Sequence, residues 1–191
     1  MMTGEVKLTR SQHLAAQCLL RRLPAADVLV LEGPAGSGKT VVLREVRRQS
    51  GGKLIGARQF LEALIAPGPA AIEEAFLGML DEALASHDLV LVDDLHLAAN
   101  IVQSCDHPRT HLLDAALTAV LGEASAQGKK IVFATVGEAP WPIARRAFKC
   151  SIAGFTAEDY RGVGEAYLAP AVSRRFEYAR LHALPRRCKN Y

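Results

Sequence analysis

Two short stretches concentrate the residue types that could do chemistry. The first is Gly33-Pro34-Ala35-Gly36-Ser37-Gly38-Lys39-Thr40, which follows the pattern G-x-x-x-x-G-K-[ST]. Glycines let a backbone bend so tightly that successive N–H groups turn inward, and a helix starting at the end of the bend adds its partial positive charge. Such a bend cradles phosphate. Lys39 can extend along β- and γ-phosphates as a point charge, and the Thr40 hydroxyl can ligate Mg²⁺. An accidental glycine-rich turn is the competing reading. With glycine near 7% of residues, a chance match in a chain this long arises about one time in a hundred.

The second stretch is "LVLVDDLH", residues 89–96. An apolar strand ending in carboxylates delivers them to the C-terminal edge of a parallel sheet, where ligands of open α/β sheets bind. Asp93 can hold Mg²⁺ through water, and Asp94 can orient or deprotonate an attacking water. Taken alone, two aspartates could equally cap a strand end. Their place about fifty residues after a phosphate loop favours the metal role.

These residues need elements to position them. "DVLVLEG" is a short buried strand leading into the loop, and "TVVLREVRRQ" is a helix leaving it and stopping at Gly51-Gly52. Thr9 can cap a helix through "RSQHLAAQCLLRRL", closed by Pro24. "KLIGA", "DLVLVDD", "KKIVFATVG" and "KCSIAGF" read as further strands. Helices are expected in "RQFLEALIA", in "AIEEAFLGMLDEALASH" and in "THLLDAALTAVLGEASAQG". "APWPIARRAF" reads as a loop with a short helix. Thr156 and Asp159 make a capping-box start for "AEDYRGVGEAYL", and "AVSRRFEYARLHAL" can form one more helix. Strands alternating with helices mean crossover connections, hence an α/β fold with a mostly parallel sheet flanked by helices in three layers.

Bulk properties agree with one globular core. The 191 residues carry a net charge of +3, divided as −3 over residues 1–140 and +6 over residues 141–191, so any basic surface belongs to the C-terminal quarter. No apolar run approaches a bilayer's thickness and the N-terminus lacks the apolar core of a signal peptide, so a cytoplasmic protein is expected. Cys18, Cys105, Cys150 and Cys188 form no CxxC pair and read as reduced thiols.

At this point the chain resembles the AAA+ ATPases of the P-loop NTPase superfamily, with "GPAGSGKT" as Walker A and "LVLVDD" as Walker B. "IVFATVGEAP" resembles the strand carrying the polar sensor 1 position. "IARRAFKCSIAGFTAEDY" is similar to the arginine-bearing turn, last core strand and first lid helix, and "GGKLIGARQFLEAL" to the second strand and its helix. The resemblance covers roughly residues 8 to 183. It implies ATP and Mg²⁺ as cofactors, with nucleotide contacts from Gly33 to Thr40 and from Asp93, and metal contacts from Thr40 and Asp93. It gives Asp94 the water-orienting role and assigns sensor 1 to Thr135 rather than the neighbouring Val136. It also implies an arginine finger reaching the neighbouring subunit's γ-phosphate, Arg146 in preference to Arg145, and hence a homo- or hetero-oligomer of AAA+ subunits.

Two departures from the family pattern stand out. Asp94 replaces the commoner Glu and is one methylene shorter. Only 36 residues follow Phe155, so residues 1–155 are expected to form the nucleotide-binding core and residues 156–191 a partial helical lid. Arg174 and Arg175 fall early for the family's sensor 2 arginine and read as surface residues.

The resulting expectation is an ATPase that hydrolyses Mg·ATP to do conformational work on a protein or nucleic-acid client. The alternative is a non-hydrolysing nucleotide switch or scaffold; a phosphotransferase lacks any acceptor-binding signature. His96, Cys105, His107 and His111 lack paired zinc-finger spacing and read as part of a polar surface loop. Trp141, between two prolines, suits either a subunit contact or the core. The basic C-terminus reads as a solvated face rather than a nucleic-acid site.

Overall fold

A computed structural model describes residues 8–65, 72–95, 110–168 and 177–178. Its elements are α1 (Arg10–Arg22), β1 (Val28–Glu32), α2 (Lys39–Ser50), β2 (Lys53–Ile55), α3 (Ala57–Ile65) and α4 (Ile72–Ser86). They are followed by β3 (Leu89–Val92), α5 (Thr110–Ala126), β4 (Lys130–Thr135), α6 (Trp141–Ala144), β5 (Phe148–Ser151) and α7 (Ala157–Tyr167). The five strands form one sheet in the order β2-β3-β4-β1-β5, with every pair parallel.

The strands are apolar on both faces because helices cover both. Val28 and Val30 of β1, Val90 and Val92 of β3, and Ile131 and Phe133 of β4 face one layer, where they meet Phe76 and Leu80 of α4, Leu117 and Leu121 of α5, and Ile143 of α6. The alternate residues Leu29, Leu31, Leu91, Val132 and Ala134 face the other, against Ala15, Ala16 and Leu19 of α1 and Val42, Leu43 and Val46 of α2. This period-two division of each strand between two cores produces the three layers foreseen from the alternation of elements.

Local punctuation sets the element ends. Thr9 caps α1 in a capping box with Gln12, and Thr156 caps α7 in another with Asp159. Gly51 ends α2 with φ 75°, and Gly52, at φ 91°, lies so close to the Leu89 carbonyl that a Cβ there would sit 2.4 Å from its oxygen. Only glycine lets the chain turn there directly into β2.

Two expectations need correction. Cys18 and Cys150 are joined in a disulfide across 132 residues, with Cα atoms 6.1 Å apart, rather than standing as reduced thiols. The packing of α1 over the buried face of β5 brings them together, and no local spacing announces a pair so distant in sequence. A thiol reagent added to unfolded, unreduced protein should therefore count at least two fewer thiols than after reduction; equal counts would refute the bridge. Trp141 is not a core residue: it is 63% exposed, with the Arg145 guanidinium stacked 4.6 Å from its ring centroid.

His96, Cys105, His107, Arg174, Arg175 and the basic C-terminus lie outside the described residues, while His111 belongs to the first turn of α5 rather than to a loop. Among the described residues, no group of three His, Cys, Asp or Glu side chains could hold a metal ion, and no helix is long and apolar enough to cross a membrane.

Candidate functional site

Strand β1 ends at Glu32, and residues 33–38 turn the chain into α2, which begins at Lys39. Two glycines make the turn possible: Gly36 has φ 75° and Gly38 φ 81°, conformations that side chains rarely adopt. Gly38 is the N-cap of α2 and has no side chain to offer its first turn. The amides of Lys39 and Thr40 stand at a helix start, where no intrahelical carbonyl is in reach, so they remain donors for something else.

Lys39 is buried, 6% exposed, and its ammonium donates to the carbonyls of Gly33 and Pro34, both at 3.0 Å. Burial lowers its pKa, opposed by the negative charges of Asp93 and Asp94. Asp93 immediately follows β3 and is itself buried. Burial raises the pKa of its carboxyl; a hydrogen bond from the Thr40 hydroxyl works against this, the charge of Asp94 adds to it, and the Asp94 amide and Lys39 oppose it. The ammonium, the hydroxyl and the carboxylate thus meet although they come from two segments some fifty residues apart.

Asp94 takes a different course. Its backbone is left-handed, φ 53°, the one described non-glycine residue with positive φ, and its amide donates to the Asp93 carboxylate at 3.0 Å. Aspartate is among the few residues that tolerate this region. The bend separates the directions of two consecutive carboxylates: Asp93 turns to Thr40, while Asp94 leaves the strand half-exposed.

Between β1 and β3 runs β4. Glu32 pairs with Thr135 and Val92 with Phe133, so the loop, the end of β4 and the two aspartates line one edge of the sheet in that order. Thr135 sits under the loop, its carbonyl accepting from the Gly33 amide at 3.3 Å. Its side chain is fully buried and its hydroxyl has no hydrogen-bond partner among the described residues.

Arg145 and Arg146 are not brought to this edge. They precede β5, whose first residue Phe148 pairs with Leu29 near the start of β1, so they stand toward the opposite edge from the loop. Both are exposed, and Arg146 lies against Gly122 of α5. Neither reaches the loop of its own chain.

Sequence reasoning missed Gln12. Its amide nitrogen donates to the Ser37 carbonyl at 3.1 Å, bracing the loop from α1. A Cβ on Gly38 would come within 2.2 Å of that nitrogen, so the glycine also makes room for the brace. The one signal available was the Thr9-x-x-Gln12 spacing of a capping box.

With this geometry in view, likeness to solved structures is informative. Domain III of the replication initiation protein DnaA from Thermotoga maritima superposes with a TM-score of 0.60 over 92% of this chain and 77% of its own, at 16% identity. DnaA bound to AMPPCP and single-stranded DNA superposes at 0.52, covering 86% of this chain and 54% of its own, also at 16% identity. In sequence, the chain is 29% identical over 136 residues to the Holliday junction branch migration complex subunit RuvB of Anaeromyxobacter sp. (strain Fw109-5). The chain has the fold of an AAA+ P-loop ATPase core. RuvB from Anaeromyxobacter dehalogenans (strain 2CP-C) is 28% identical over the same length. Each RuvB match covers 70% of this chain and 37% of the relative, so the AAA+ core described here spans little more than a third of those proteins' length. No family model matches the chain.

Proposed function

We propose that this chain binds Mg·ATP in the loop of residues 33–40 and hydrolyses it to do work on nucleic acid. The observation that carries the reading is the meeting of Lys39, Thr40 and Asp93 at the loop, a cation beside a hydroxyl and a carboxylate. Oxygen donors of this kind suit a hard divalent cation shared with phosphates. Branch migration at a Holliday junction by RuvB, and the single-stranded DNA and AMPPCP bound to DnaA, support nucleic acid as the client.

In this reading the loop from Gly33 to Thr40 wraps the triphosphate, the amides of Lys39 and Thr40 at the helix start donate to it, and Lys39 exchanges its carbonyl partners for phosphate oxygens. Thr40 and Asp93 would hold Mg²⁺, which supplies charge neutralisation on the phosphates when bound. Asp94, half-exposed beyond the strand end, orients the attacking water and takes its proton. Thr135 is the polar residue between the two halves of the site and serves as sensor 1, its buried hydroxyl turning toward the attacking water. Because Arg145 and Arg146 stand away from their own loop, their role is toward another subunit, Arg146 serving as the finger in an oligomer. Residues 1–155 act as the core and residues 156–191 as a partial lid.

The test is steady-state phosphate release by the purified chain with Mg·ATP, alone and with branched or single-stranded DNA. Turnover that rises with DNA is expected. Tight nucleotide binding with no phosphate release under any condition would replace this reading with a non-hydrolysing switch.

A further inference from the structure

We infer that Gln12 and Asp159 are positioning residues that couple the start of α7 to the phosphate loop through the first turn of α1. The inference rests on the reading that the loop holds nucleotide. It concerns two side chains that need not touch that nucleotide.

The first link is the polarity of one amide. Gln12 Oε1 accepts from the Thr9 backbone N–H at 3.0 Å, which closes the capping box of α1. A backbone N–H can only donate, so this contact fixes which end of the amide faces Thr9. Nε2 is then the end turned to the Ser37 carbonyl, which can only accept. Gln12 is buried, so both bonds are shielded from water.

The second link is a carboxylate shared by two helices. Asp159 accepts from the Thr156 amide at 2.9 Å and from its hydroxyl at 2.9 Å, capping its own helix. The same carboxylate accepts from the Ser11 amide at 3.1 Å and the Ser11 hydroxyl at 2.8 Å, 148 residues away. It is 2% exposed. Burial would raise its pKa, but the hydrogen bonds from Thr156 and Ser11 outweigh it and hold the carboxyl down at about 2. One ionised group thus satisfies orphan donors in the first turns of α1 and α7, where helix dipoles also favour a negative charge.

Ser11 and Gln12 are consecutive in the first turn of α1. A movement of α7 that strips Asp159 from Ser11 loosens the turn from which Gln12 holds the loop. By linkage, a nucleotide that tightens the loop must in turn tighten the junction of α1 and α7.

Two substitutions separate this coupling from simple helix capping. Gln12→Glu keeps an oxygen for the Thr9 amide, since Glu is a natural partner in a capping box, but turns a second acceptor on the Ser37 carbonyl. Asp159→Asn removes the shared charge. In nucleotide-free protein, hydrogen exchange of the bonded amides of the loop and its helix start, Ser37 to Pro34 and Val41 and Val42 to Gly38, should speed up in both variants, on the order of 5-fold or more, as expected for loss of a net hydrogen bond. With Mg²⁺ and a fluorescent ATP analogue, each should weaken binding by about 3- to 10-fold, and the double variant by less than the product of the two, because the links act in series. Unchanged exchange in both variants, or strictly multiplicative losses of affinity, would overturn the coupling. If Asp159→Asn fails to fold, Ser11→Ala replaces it in every arm. Should wild-type protein bind no nucleotide, the proposed function fails, and the exchange measurement still decides this inference.

Discussion

Replacing Lys39 with alanine should lower the affinity for Mg·ATP by about 10- to 150-fold while leaving the core folded. The size follows from hydrogen bonds to a charged group, worth roughly 1.5–3 kcal/mol each. Lys39 already makes two bonds at 3.0 Å, to the carbonyls of Gly33 and Pro34, so its side chain is held at the loop before any ligand arrives. Burial lowers its pKa and opposes the charged form, while Asp93 and Asp94 oppose that shift, so the cation is kept where phosphate oxygens would replace those carbonyls. The fold survives because Pro34 is exposed and water can serve its carbonyl, and because Val42, Leu43 and Val46 anchor α2 independently. Calorimetric titration of both proteins is the measurement, with thermal melting to check folding. Equal affinities would end the assignment of residues 33–40 to a triphosphate.

The parts of this molecule that were legible in sequence are those encoded locally. β1, the loop and α2 are contiguous, and each boundary carries its own marker: Gly33 after Glu32, Gly38 before Lys39, Gly51 after Ser50. Both capping residues, Thr9 and Thr156, could be named for the same reason. Strand order is not local. Nothing in "KKIVFATVG" says that β4 inserts between β1 and β3, yet that insertion sets Thr135 under the loop and fixes the width of the site. The disulfide between Cys18 and Cys150, the Gln12 bond to Ser37 and the Asp159 bonds to Ser11 all join distant segments, and each arises from how α1 lies across the sheet. Trp141 shows a different limit: sequence left it open between a subunit contact and the core, and it is the short α6, burying Pro142 and Ile143, that leaves the indole outside under Arg145.

Asp94→Asn should cut phosphate release by about 100- to 10,000-fold, the range expected when a general base is lost, and change nucleotide affinity by no more than about threefold, well below the cost of a lost charged contact. The two effects separate because the backbone separates the two carboxylates. Asp93 faces Thr40, in the half of the site proposed to bind, whereas the left-handed turn at Asp94 carries the next side chain away from the strand. Asparagine tolerates that backbone as well as aspartate does and has almost the same shape, so the substitution removes the base without straining the turn. Asp94→Glu would lengthen the reach to water but put a residue less tolerant of positive φ at the same position. Its activity therefore weighs the shorter carboxylate against the turn that holds it. A single-turnover assay on saturated protein reads the chemical step directly: Asp94→Asn retaining wild-type hydrolysis would move the base elsewhere in the site, while loss of binding and hydrolysis together would mean that Asp94 supports the nucleotide rather than the water.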